Sequence, residues 1–342
     1  VGVVGTGFVA RRAHIPAWNA LPGARVTALC DIDAAALEAA GRAVPGAARF
    51  ADYRALLDAD LDAVSICASN AAHFPVALAA LHAGKHVLCE KPLGISAAEI
   101  VSLGEVADAR GLVLMAQHQL RFAGPARAAR ACVLAGKVGR VYHARARALR
   151  RDRAPTLPGL IERDLAGGGA ILDLGVHALD MALWLMDFPR AARVSGSVGV
   201  NFARGGRIAG HWGEWDRSRF SVEDFGTGLV HFENGSTLML ECAWLGHHGE
   251  EGLGCELFGE AGNLRWPSGE LFSQGASFTR ESLGAPGVEE PHAAAVRAFH
   301  RAVTEGGESP VPWREAAASL AILEALYASA REGREMRVES TP

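Results

Sequence analysis

Val1-Gly2-Val3-Val4-Gly5-Thr6-Gly7-Phe8-Val9-Ala10 opens the chain: a short apolar run, then a Gly-rich turn, then a segment of helix length. In that order G-x-G-x-x-G/A has a physical meaning. Gly5 permits the tight turn, Gly7 lets backbone approach a pyrophosphate, and small Ala10 lets the helix pack close to the strand. Phosphates then meet a helix N-terminus, where free N–H groups and the dipole favour anions. Gly5, Thr6, Gly7, Phe8 and Val9 are therefore candidate cofactor contacts. The next apolar run, 25–30, ends at Asp31, 24 residues after Gly7. An acidic side chain there accepts hydrogen bonds from the adenosine ribose hydroxyls. Ile32 and Asp33 follow with no Arg beside them. The site thus repels a 2′-phosphate, and NAD is expected in preference to NADP.

Working outward, apolar runs at 1–5, 25–30, 63–67, 86–89 and 112–116 alternate with helix-length segments. Near-continuous apolar strands alternating with helices predict a parallel sheet covered on both faces. From about 137 the pattern changes to longer alternating runs, 138–150, 194–202, 226–232 and 236–245, the last two separated by the hairpin signal Asn234-Gly235. The expected architecture is an α/β Rossmann domain over 1–122 and an α+β domain with a largely antiparallel open sheet over 123–342. Two helices, about 291–305 and 313–333, close the chain.

At 342 residues two domains are the default. Lys and Arg number 34 against 38 Asp and Glu, giving −4 without blocks of one sign. Nothing in that balance asks for nucleic acid or an anionic membrane, and no apolar run has the length of a membrane helix. The six cysteines, Cys30, Cys67, Cys89, Cys132, Cys242 and Cys255, form no CxxC pair. Buried free thiols in a reducing compartment are expected, hence a cytoplasmic protein. Val1 already lies inside a strand pattern, so the missing initiator Met says little about an upstream export signal.

Cys89-Glu90-Lys91-Pro92, Ser69-Asn70 followed by His73, and the fingerprint with Asp31 together resemble the Gfo/Idh/MocA oxidoreductase family. Gly167-Gly168-Gly169 leading to Asp173-Leu174-Gly175-Val176-His177 is similar to its DxxxH hallmark, and 325–334 to its ending. The resemblance implies an oxidoreductase with a Rossmann domain and an oligomerising α/β domain, and it puts Ser69, Asn70, His73, Glu90, Lys91 and Gln119 near the cofactor. Ser69 stands where the family often has Pro, and Gln119 where it often has Asn. The nicotinamide contacts follow less closely than the fold.

Lys91 falls just past the end of strand 86–89, where open α/β sheets place ligands. Pro92 biases it away from helix and is able to take a cis bond. By itself a solvated lysine is the blander reading; strand-end position and resemblance favour a substrate contact. On a helix over 171–186, Asp173, His177 and Asp180 fall within about 60° of one another, and almost everything else is apolar. Buried carboxylates are costly unless paired or used. A self-satisfied Asp–His pair in the core is the alternative. In the functional reading His177, with an ordinary pKa near ~6.5, takes a hydroxyl proton as hydride leaves the same carbon. Asp173 orients the imidazole or binds a neighbouring hydroxyl, Lys91 polarises the reacting oxygen, and Asp180 and Arg121 contact substrate, with Arg121 equally open to a structural ion pair. Several acceptors at one spot suit a polyhydroxylated, sugar-, inositol- or sugar-acid-like substrate.

Weaker features remain. The stretch His211-Trp212-Gly213-Glu214-Trp215-Asp216 reads either as a loop over the pocket or as an exposed turn. Cys242, His247, His248 and Cys255 match no standard zinc spacing, so no metal is expected. An NAD-dependent glycosidase using transient oxidation draws on the same residues, and a non-catalytic NAD-sensing regulator would not need Lys91, Asp173 and His177 together. Apolar residues of both parities in 226–245 predict a sheet face covered in a homodimer or homotetramer.

Overall fold

The computed structural model describes all residues except 153, 206–212, 214, 285–286 and 288. They divide into two compact units, one of 1–122 with 289–317 and Pro342, the other of 123–288 with 318–341.

The first unit is built on six parallel strands, β1 (Gly2–Val4), β2 (Ala28–Cys30), β3 (Ala48–Phe50), β4 (Ala63–Ile66), β5 (His86–Cys89) and β6 (Leu114–Ala116), in the order β3-β2-β1-β4-β5-β6. Every residue of β1, β2, β4 and β6 is buried, which is why they read as unbroken apolar runs. Edge strand β3 gave no such run: Ala48 and Arg49 are exposed. Successive strands leave β1 in opposite directions, so the order reverses there and opens a crevice at the carboxyl ends.

Segment 289–317, expected in the second domain, belongs instead to the first unit. Helix Pro291–Glu305 buries Ala294, Ala295, Val296, Phe299 and Ala302, and Phe299 meets Trp18 edge to face at 6.0 Å. Trp313 then covers Gly104, where a Cβ would fall 2.0 Å from the indole, and its N–H donates to Asp108 at 3.3 Å. Only glycine at 104 admits that indole.

The second unit carries β7 (Val141–Leu149), β8 (Ala191–Gly199), β9 (Phe225–Phe232), β10 (Thr237–Ala243), β11 (Gly252–Gly259), β12 (Asn263–Trp266), β13 (Glu270–Gln274), β14 (Phe278–Ser282) and β15 (Met336–Arg337). Their order is β14-β13-β12-β11-β7-β10-β9-β8-β15, antiparallel throughout except where β7 and β10 pair in parallel. The hairpin at Asn234-Gly235 forms, with Gly235 at φ +84 and Asn234 Oδ1 accepting from the Ser236 N–H at 3.0 Å. Strands β11 to β15 were not anticipated: glycines interrupt β11 and every residue of β14 is exposed, so neither shows a clear alternation. Val230, Phe232, Leu238 and Leu240 point into the core. The opposite face runs Leu229, Met239, Arg145, Glu256 across neighbouring strands, apolar on β9 and β10 and charged on β7 and β11. Arg163–Leu185 is apolar and long enough to match a membrane span, but it is mostly buried core.

Candidate active site

The first unit builds a dinucleotide cradle at the carboxyl ends of its strands. Gly5 has φ +82, and a Cβ there would fall 2.5 Å from the backbone of Cys67 and Ala68, so only glycine closes the turn. Around Gly7 a Cβ would meet nothing within 4 Å, which leaves its backbone open to an approaching phosphate. Asp31 locks the turn: its Oδ2 accepts from the Thr6 N–H at 2.6 Å and from the Thr6 hydroxyl at 3.0 Å, and its Oδ1 accepts from the Asp33 N–H at 2.9 Å. A carboxylate offers about four lone-pair positions, so Oδ1 retains room for a ribose hydroxyl. Ile32 and Phe8 are 96% and 61% exposed, apolar surfaces flanking the cradle where adenine and ribose have something to pack on. These residues fit NAD. Val9 continues the helical backbone behind Phe8.

Ser69 caps helix Asn70–His82 in extended geometry without a side-chain cap bond. His73, named from sequence as a cofactor contact, has both ring nitrogens turned to protein: Nδ1 lies 2.7 Å from the Pro92 carbonyl and Nε2 3.1 Å from that of Ala68. Burial pushes its pKa below the usual histidine value against the pull of the Pro92 bond. A neutral imidazole has one N–H, assigned here to the shorter contact. His73 therefore ties the β4 loop to the segment after β5 rather than reaching outward.

Glu90 is likewise committed inward. Its Oε1 is 2.8 Å from His14 Nε2, whose Nδ1 is 2.7 Å from the Ser65 hydroxyl, and its Oε2 accepts from the Lys91 N–H at 3.3 Å. Burial alone would raise the Glu90 pKa, but the His14 hydrogen bond and charge, helped by His292 and Lys91, outweigh it and hold the carboxyl at about 2. Lys91 follows, half-buried, with a cis bond to Pro92. The lysine thus sits on a segment pinned by Glu90 before it and His73 after it. Gln119 lies in the short helix Gln119–Phe122, half-buried. Arg121, expected at the substrate, is 4% exposed and forms a salt bridge with Glu315. Of its two sequence readings the ion pair is the one observed, because Glu315 arrives on a helix that the sequence had put in the other domain.

This pinning has a measurable consequence. Glu90 ionises at its ordinary 4.5 when unfolded and at about 2 when folded, so its contribution is complete above 4.5 and is lost as pH falls through 2. The difference is worth about 3 kcal/mol. In urea unfolding, wild type should lose more stability between pH 5 and pH 3 than Glu90→Gln. Equal losses would mean that the carboxylate is not held by His14.

In the second unit the helix expected over 171–186 is not uniform: Ile171–Gly175 forms a π-helical turn and Val176–Leu185 an α-helix. Such wide turns recur at functional sites, and this one carries Asp173. Gly175 is required where the turn meets β10, since a Cβ would lie 2.8 Å from Cys242 Sγ. Asp173 and His177 are half-buried, whereas Ile171, Leu172, Leu174, Val176, Ala178 and Leu179 are buried. Asp180, expected beside them at the substrate, is 2% exposed and lies in the core, one turn further along the α-helix from half-buried His177.

Three residues that the sequence reading missed hold this turn. Trp244 donates its indole N–H to Asp173 Oδ2 at 3.0 Å. Glu223 Oε1 accepts from the backbone N–H groups of Gly169 and Ile171 at 2.8 and 3.1 Å and from the Tyr327 hydroxyl at 2.7 Å. Burial raises the Glu223 pKa against these donors. Gly169 is obligatory, since a Cβ would fall 1.9 Å from the Glu223 carbonyl oxygen. Only the triple glycine signalled this packing; nothing in 220–245 marked its partners. His211, Trp212 and Glu214 lie outside the described residues, and Trp215 packs edge-on against Phe220 at 5.6 Å. Cys242 and Cys255 are buried on strands, and among the described residues no group of three or more His, Cys, Asp and Glu is placed to hold a metal.

An NAD-type cradle and a separate helix presenting Asp173 and His177 define a dehydrogenase of the two-domain kind. Sequence comparison agrees: residues 1–118 match the profile described as "Oxidoreductase family, NAD-binding Rossmann fold", and 126–265 match the GFO/IDH/MocA C-terminal domain. The chain belongs to the Gfo/Idh/MocA family, and it is an NAD-dependent oxidoreductase. It is 33% identical to D-glucoside 3-dehydrogenase of Escherichia coli (strain K12), over 71% of this chain and 70% of that protein. With D-apiose dehydrogenase of Paraburkholderia graminis it shares 28% identity over 99% and 89%. Among solved structures, an oxidoreductase domain protein from Kribbella flavida superposes with TM-score 0.86 at 25% identity, covering 99% and 98% of the two chains. Levoglucosan dehydrogenase in complex with NADH has the same fold, with TM-score 0.84, 21% identity and 99% of each chain covered.

Cofactor choice is testable at Asp31. Asp31→Ala should weaken NAD binding by about 1–3 kcal/mol, the order of a lost charge-assisted hydrogen bond, and narrow the preference over NADP. Titration of wild type with both cofactors checks the premise, and tighter binding of NADP would contradict it.

Proposed function

We propose that this enzyme oxidises or reduces a ring or chain hydroxyl of a sugar or sugar-like polyol, with Lys91, Asp173 and His177 as its chemical groups. The observation that carries the reading is the pair Asp173 and His177, half-buried on a helix whose neighbouring side chains are core. Bound NAD supplies the carbon that accepts or returns hydride. In the oxidising direction His177 takes the hydroxyl proton while the C–H bond gives up its electron pair as hydride, leaving a carbonyl. Lys91 hydrogen-bonds the reacting oxygen, and Asp173 binds an adjacent hydroxyl or orients the imidazole. The names of relatives such as D-glucoside 3-dehydrogenase and D-apiose dehydrogenase support a carbohydrate substrate. Aldoses, glycosides, inositols and sugar acids should be screened for NADH formation at saturating NAD. A sugar-class substrate is expected to stand out, and turnover confined to simple alcohols would overturn the proposal.

We also place the enzyme in the cytoplasm as a homodimer or homotetramer. Six buried, unpaired cysteines support a reducing compartment. A nine-stranded sheet whose Met239 is 46% exposed beside Leu229 supports a partner on its outer face. Light scattering at micromolar concentration should report at least twice 35.9 kDa; a monomer refutes the assembly.

A further inference from the structure

We infer that Trp244 is a positioning residue for the reaction, holding Asp173 in its working orientation through the indole N–H; this rests on Asp173 belonging to the chemical site. The bond runs from a wholly buried donor to a half-buried acceptor, Trp244 Nε1 to Asp173 Oδ2 at 3.0 Å. The indole itself is fixed. Its backbone N–H donates to the Asp224 carbonyl at 3.0 Å, and Phe220, also buried, packs against the ring edge to face at 6.2 Å. Asp224 is anchored in turn, its carboxylate accepting from the N–H groups of Asn201, Phe202 and Ala203 at 2.9, 2.8 and 2.7 Å.

Satisfying a buried indole is not a sufficient reason for the contact. A backbone carbonyl or a hydroxyl would satisfy that N–H as well. At position 244 the donor is instead spent on a carboxylate, the stronger acceptor. It is spent, moreover, on a residue the proposed chemistry uses. Ile171–Gly175 is π-helical, a wider turn than the α-helix that follows it, so the direction of Asp173 is not the one a regular helix would set. A rigid aromatic donor arriving from the end of β10 fixes one carboxylate oxygen, so that Asp173 meets substrate or His177 in a defined rotamer. A misplacement of even about 1 Å costs on the order of 10²-fold in rate.

The test is a double-mutant cycle read in kcat, with NAD affinity and melting temperature measured beside it. One arm is Asp173→Asn. The other is a tryptophan analogue at position 244 in which sulfur replaces the indole N–H, so that shape is kept and only the donor is lost; Trp244→Phe serves as a second variant. The analogue should lower kcat about 10-fold in the native background and leave NAD affinity unchanged. In the Asp173→Asn background it should cost almost nothing further: the amide oxygen still accepts the indole N–H, but the carboxylate whose placement the bond serves is gone. Equal losses in both backgrounds would make Trp244 a packing residue and overturn the inference, as would no loss beside an impaired Asp173→Asn. A fully active Asp173→Asn enzyme is a different failure, removing Asp173 from the site and the inference with it.

Discussion

Replacing His177 by Ala should lower turnover by about 10²–10⁴, the usual worth of a positioned acid–base group, while NAD affinity stays near wild type. His177 lies on the helix Val176–Leu185 of the second unit, whereas the residues assigned to the dinucleotide cradle lie in the first, so the variant leaves that cradle unchanged. A histidine kept only for packing makes the opposite forecast: its removal from among Val176, Ala178 and Leu179 would chiefly lower melting temperature. Turnover per NADH-binding molecule, measured with melting temperature, separates the two, and a destabilised but fully active variant would end the catalytic assignment.

The contrast between His177 and Asp180 shows what the sequence could carry. The apolar surroundings of Asp173, His177 and Asp180 marked the helix, and a 100° progression placed all three together. Asp180 is nevertheless in the core while His177, one turn before it on the same α-helix, is half-buried: angular spacing gives the face of a helix, but not how far along it the neighbouring elements cover that face. The glycine turn was legible in the sequence: Gly5 and Asp31 act through backbone conformation and a local hydrogen bond to Thr6, which a local pattern records. Residues that act by long-range packing were not. His14 reaches Glu90 across 76 positions, Trp244 reaches Asp173 across 71, and Arg121 reaches Glu315 across 194. Read alone, His14 is an unremarkable histidine in a helix, and its use depends on the β1–β4–β5 adjacency that only the folded sheet supplies. Likewise β3 and β14, both largely exposed, have no apolar pattern to betray them.

Lys91→Ala should cost about 10²–10³ in turnover, the range seen when a donor to the developing oxyanion is lost. The loss should appear without a large fall in stability. The half-buried Lys91 side chain is not what fixes its segment: Glu90 on one side is bonded to His14, and Pro92 on the other gives its carbonyl to His73. Lys91→Arg should not restore the rate, because a bulkier planar guanidinium cannot place a single compact donor at the same point. A small primary alkylammonium added to Lys91→Ala, by contrast, should restore part of it, with saturation in the amine, since the pinned backbone keeps the space the side chain filled. NAD affinity should be measured in the same variants, because Lys91 is also expected near the nicotinamide. Restoration of turnover by the amine with NAD affinity unaltered assigns the residue to the reacting oxygen. A Lys91→Ala enzyme whose whole deficit disappears at saturating NAD would instead make it a cofactor contact alone.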